Sequence, residues 1–131
     1  MNKQKIRRCE QCPYYSTTNV NYDLLQPLFS LAYVQKNYDL DGSNDSKVAF
    51  FNQMLKLSKI AWKELNQAHQ HGLGYEKINR TAIKAPVPSF IKPDVNFIAF
   101  RFKGKAAMVG YREQNVFYIL WFDERFDLYN H

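Results

Sequence analysis

Long apolar runs are missing from this chain. No stretch approaches the ~20 residues that cross a bilayer as a helix, so no helical membrane span is expected. The basic start, MNKQKIRRCEQC, is not followed by the apolar stretch of a signal peptide, and a cytoplasmic location is expected. Glycine and proline are few, five of each, which excludes collagen-like and low-complexity classes. Acidic residues are nearly absent from one region. Residues 77–112 hold eight cations (Lys77, Arg80, Lys84, Lys92, Arg101, Lys103, Lys105, Arg112) against Asp94 alone. The rest of the chain is close to balanced, so most of the +6 net charge sits in that stretch. Such clustering is the footprint expected for phosphate or an acidic partner, with solubility as the plainer alternative.

What is present suits one folded unit. The length, 131 residues, fits a single domain, and hydrophobic residues at 46% supply a core. Cysteine is limited to Cys9 and Cys12, two residues apart. That spacing suits a zinc site, but a closed structural site needs four ligands. Within one chain only His69, His71 and His131 would complete it, and a dimer would pool two cysteine pairs. Two ordinary thiols are the simpler alternative. A disulfide is disfavoured in a reducing compartment.

Residues 1–26 are polar and Tyr-rich and are expected to form an N-terminal arm carrying the CxxC, with residues 27–131 as one domain. PLFSLAYVQ, 27–35, offers a short strand, and NYDLDGSNDS, 37–46, a loop ending in a helix cap at Asp45 or Ser46. From Lys47, apolar residues recur at spacings of three and four: Phe50, Phe51, Met54, Leu57, Ala61, Leu65 and Ala68. They predict one long helix ending near Gln70 or His71, with Gly72 as its left-handed cap. Lys56, Lys59 and Lys63 line its polar side, either as a solvated face or as the wall of a basic groove. GLGYEKINR, 72–80, predicts a second, short helix, and the proline-rich TAIKAPVPSFIKPD an extended connection.

FRFKGKAAMVGYREQNVFYILWFD, 100–123, reads as three strands joined at Gly104-Lys105 and Gln114-Asn115. Strict alternation places Ile98, Phe100, Phe102, Val109, Tyr111, Tyr118, Leu120 and Phe122 on a core face. It places Arg101, Lys103, Met108, Arg112, Phe117, Ile119, Trp121 and Asp123 on the other, with Arg101, Met108 and Trp121 in one row. Arginine forks suit phosphate, and tryptophan suits an unpaired base. A solvated sheet face with an idle cation–π pair is the alternative. Lys105, in the turn, extends the basic surface. The tail DERFDLYNH adds Tyr129 and His131 as groups able to move a proton. Glu64 and Glu76 are possible bases that nothing singles out.

The expected fold is therefore α+β: an antiparallel sheet of about four strands packed on one long and one short helix. This order, with FRFKGKAAMVGYREQ and NVFYILWFDERFDLYNH as its matching stretches, resembles the RelE/ParE/HigB-like toxin superfamily over residues 27–131. The resemblance implies a metal-independent ribonuclease of a mobile element that cuts mRNA, usually on the ribosome. It implies Arg101 and Arg112 on the scissile phosphate, Lys103 assisting, and His131 or Tyr129 as acid or base. Trp121 would stack a base, and an acidic antitoxin would be the partner. Some members of that superfamily act on gyrase without cutting RNA. The alternative kept beside this one is a non-enzymatic protein that binds nucleic acid or an acidic protein through the same surface.

Overall fold

The computed structural model describes residues 20–67 and 73–130. Their architecture is α+β, with a five-stranded mixed sheet and few helices. The strands are β1 (Leu28–Ser30), β2 (Tyr75–Ile78), β3 (Phe97–Lys103), β4 (Ala106–Glu113) and β5 (Val116–Asp123). Their spatial order is β1-β5-β4-β3-β2. Strand β1 runs parallel to β5, and the other pairs are antiparallel. The sheet thus differs from the expected four antiparallel strands in two ways. Segment 72–80, expected to be helical, supplies the edge strand β2, and β1 joins the opposite edge in parallel.

Helix α1 (Asn44–Leu57) begins after Ser43 and stops well short of Gln70. The Ser58 hydroxyl donates to the Met54 carbonyl at 2.7 Å, and the amides of Lys59 and Ile60 bond three residues back. These tight bonds close the helix. Ala61 is extended (ψ 151°), and the one-turn helix α2 (Trp62–Leu65) follows. The apolar periodicity runs through this break because Leu57, Trp62 and Leu65 bury in the same core. Phe51, expected inside, is 53% exposed.

Both two-residue hairpin loops have a positive φ at their first position, Gly104 at 57° and Gln114 at 58°. Lys103 pairs with Ala106, and Glu113 with Val116, as expected. Further along, each hairpin slips. Arg101 pairs with Ala107, leaving Phe102 as an extra residue, and Val109 pairs with Trp121, leaving Leu120 extra. A bulge of this kind puts two successive side chains on one side and inverts the alternation beyond it. At the second bulge the backbones crowd. A Cβ on Gly110 would sit 1.8 Å from the Tyr118 carbonyl oxygen, so only glycine fits.

The inversion builds two cores. Against α1 and α2 pack Ile98, Phe100, Phe102, Met108, Phe117, Ile119 and Phe122. Against the opposite face, Phe97, Ala99, Ala107, Val109, Leu120 and Trp121 meet Ile91, Leu128 and Tyr129 from the long connection and the tail. Each such large side chain taken out of water contributes about 1.5–3 kcal/mol. The face expected to be open is therefore covered. Met108, Phe117 and Ile119 belong to the helix side, and Val109 and Leu120 to the tail side.

Candidate functional site

Of the eight cations in 77–112, four hold the chain together. The Arg80 guanidinium donates to the carbonyls of Lys92 (2.8 Å) and Ile91 (3.2 Å) and lies over the Phe97 ring. Lys84 Nζ donates to Asn130 in the tail at 2.9 Å. Lys103 Nζ donates to the buried Ser46 hydroxyl of α1 at 3.2 Å. Arg112 donates through Nε to the Gln114 carbonyl and through Nη2 to Asp23, both at 2.6 Å. Its guanidinium also lies 4.4 Å from the centre of the Trp62 ring. A cluster in sequence has become a dispersed set of ties in space.

These positions correct the expected constellation. Arg101 is on the tail side, whereas Arg112 and Lys103 are on the helix side. Arg112 also lies five residues along β4 from the row of Arg101, roughly 17 Å away at the rise of an extended strand. The two arginines therefore do not converge on one phosphate. Trp121 is fully buried and its Nε1 has no hydrogen-bond acceptor among the described residues, so it cannot stack a base. Lys56, Lys59 and Lys63 are exposed, but the break after Leu57 divides them between α1, the connector and α2. Lys105 is exposed in the β3–β4 turn. Cys9, Cys12, His69, His71 and His131 lie outside the described residues. Among the described residues, no three His, Cys, Asp or Glu side chains gather where they would hold a metal. No helix among them is long and apolar enough to cross a membrane.

What the fold does bring together is Arg101, Tyr129 and Glu76. Asp123 organises the tail: its buried carboxylate accepts the amides of Asp127 (3.1 Å) and Leu128 (3.2 Å). The Lys84 amide then donates to the Leu128 carbonyl at 2.7 Å, fixing the tail to the long connection. Tyr129, the next residue, is held against the sheet and is buried. Burial pushes its hydroxyl up to about 12, helped by the negative charges of Glu76 and Asp123 and opposed by Arg101. The phenol is thus protonated at neutral pH, a donor rather than a base. Arg101 and Glu76, whose charges act on it, are exposed.

Nothing in the sequence singles out Glu76 from Glu64 as a base. The glycines before it favoured a helix, whereas Glu76 stands in β2 directly opposite Ala99 of β3. Alternation from that pairing puts it on the tail side with Arg101. The signal for this was the β-forming pair Tyr75 and Ile78. A carboxylate, a guanidinium and a neutral phenol on one side of the sheet are groups able to accept a proton, hold a phosphate and donate a proton. The chain matches no protein-family model, no curated protein and no solved structure.

Proposed function

We propose that this chain is a metal-independent endoribonuclease of the small toxin type. The supporting observation is that Arg101, Glu76 and Tyr129 share the tail side of the sheet, with the charges of the first two acting on the Tyr129 hydroxyl. In this reading Arg101 neutralises the scissile phosphate as charge builds on its oxygens. Glu76 takes the proton from the ribose 2′-hydroxyl, whose oxygen attacks phosphorus. The bond from phosphorus to the 5′-oxygen breaks, and Tyr129 supplies that oxygen with a proton. The products are a 2′,3′-cyclic phosphate and a 5′-hydroxyl end. Arg112 and Lys103, engaged elsewhere, take no part in the chemistry. An acidic protein that covers Arg101 would silence the site and is the partner this reading implies.

Expression in a bacterial cell tests it. Growth is expected to stop with loss of intact RNA, and Arg101→Ala is expected to restore growth at an unchanged protein level. A harmless wild-type chain that leaves RNA intact would overturn the proposal. The non-enzymatic reading has one observation of its own, because Arg112 and Lys103 serve internal bonds. It is favoured if the purified chain binds RNA with strong salt dependence and never cuts it.

A further inference from the structure

A cavity whose wall does not include Arg101 lies where β3 begins and β4 ends. Its volume is about 520 Å³, within the range of sites that hold small ligands. Three cations line it, Lys77, Lys92 and Arg112, together with the carboxylates of Asp94 and Glu113. Neither lysine ammonium has a hydrogen bond or ion pair to a described residue, and both lysines are exposed. These are the cations of the basic stretch that the fold leaves without an internal task on this side.

Aromatic rings continue from the cavity across the sheet. Phe90 and Tyr111 are both in its wall. Phe90 meets Tyr33 at 4.8 Å between ring centres, Tyr33 stacks on Tyr118 at 5.5 Å, and Tyr118 stacks on Tyr111 at 5.1 Å. The rings of the last two pairs are nearly parallel, with interplanar angles of 21° and 17°. Phe90 is 54% exposed and Tyr33 39%. Phe90, at the end of this run, keeps an exposed ring on which a flat ligand can lie.

We infer that this cavity binds one unpaired nucleotide of a single-stranded RNA, whose neighbouring bases lie along the Phe90–Tyr33–Tyr118–Tyr111 ladder. Lys77 and Lys92 take the phosphate, because ammonium groups without internal partners lose no bond in doing so. Phe90 stacks on the base, a contact every base can make. Asp94 and Glu113 repel a second phosphate and accept hydrogen bonds from an amino-bearing base. A duplex is excluded, since its bases are already stacked and turned inward. The ligand class rests on the ribonuclease reading, but binding here requires no cutting.

The test is fluorescence anisotropy of a labelled 2′-O-methyl RNA of ten nucleotides on the full chain. That probe has no free 2′-hydroxyl and cannot be cleaved. Phe90→Ala is expected to weaken binding at least about fivefold. Lys77→Ala with Lys92→Ala is expected to lower the dependence of log affinity on log salt by about one or more. The duplex of the same sequence is expected to bind at least about tenfold more weakly than the single strand. Because Phe90, Lys77 and Lys92 are exposed, unchanged thermal unfolding is expected in each variant. Parental affinity in all variants, equal binding of the duplex, or no binding at all overturns the inference. Cleavage of ordinary RNA without this binding would leave the proposed function standing, and binding without cleavage would do the reverse.

Discussion

The guanidinium of Arg112 lies over the ring of Trp62, 4.4 Å from its centre, while its Nη2 meets Asp23 at 2.6 Å. Trp62 in turn donates from its indole nitrogen to the Asn115 carbonyl at 3.0 Å. One arginine thus ties the β4–β5 turn, α2 and the segment before β1 into one corner. The ion pair is partly solvated and contributes little alone. The stack and the hydrogen bond to Gln114 add to it. Arg112→Ala is expected to lower unfolding free energy by about 1–3 kcal/mol. Arg112→Lys keeps the charge but not the planar fork, and is expected to recover less than half of that loss. Urea denaturation measures both. A wild-type midpoint in Arg112→Ala would remove the structural role assigned here, and with it the reason for leaving Arg112 out of the chemistry.

Gly110 makes the sharpest statement about the sheet. Its missing Cβ leaves room for the Tyr118 carbonyl, which belongs to the backbone and cannot turn aside. Gly110→Ala is expected to cost at least about 3 kcal/mol, the scale of a serious core overpacking, or to abolish folding. Thermal unfolding would show it. A variant that melts with the wild-type chain would mean that the bulge at Leu120 is absent.

The tail that covers this side of the sheet decides what Trp121 is. Its ring meets Phe97 at 5.5 Å, edge to face, inside the core on the tail side. Its indole nitrogen is buried without an acceptor among the described residues, so phenylalanine gives up no hydrogen bond there. The loss is packing volume alone, and Trp121→Phe is expected to cost less than about 3 kcal/mol. It is expected to leave affinity for single-stranded RNA unchanged, as read by anisotropy. A large fall in affinity without a fall in stability would return Trp121 to the surface.

These outcomes bear on how much could be read from residues alone. The three strands β3 to β5, both hairpin loops and the Glu113–Val116 end of the register follow from turn residues and alternation, and they are found. Alternation carries no information about an inserted residue, so the two bulges inverted the assignments lying between them, from Lys103 to Leu120, whereas Trp121 and Phe122, beyond both, keep the faces expected of them. The lone glycine at 110, inside a strand pattern, was the available warning. Strand β2 was hidden by the glycines before it. The end of α1 was hidden because helical spacing continues from Leu57 to Leu65 while the backbone does not. The chemistry suffered accordingly. Arg101 and Tyr129 remain in the proposed site, Glu76 joins it, and Arg112, Lys103 and Trp121 are no longer proposed for it.

Tyr129 carries a pH prediction. Its hydroxyl is raised on folding, so the unfolded chain loses that proton first. The contribution to stability is whole below about 10, the ordinary phenol value, and is lost as pH rises toward about 12. Wild type is therefore expected to lose stability faster than Tyr129→Phe across that window, as measured by urea unfolding at stepped pH. Parallel curves for the two proteins would mean that Tyr129 is not held in the buried, carboxylate-flanked position described.

The most direct test of the ribonuclease reading is incubation of the purified chain with single-stranded RNA in excess chelator. The account predicts fragments ending in 2′,3′-cyclic phosphate, with Arg101→Ala slower by at least about 100-fold, the scale for removing a group that stabilises developing charge. Glu76→Gln is expected to be slowed as well, with its stability unchanged. Intact RNA, or Arg101→Ala cutting at the wild-type rate, would contradict it.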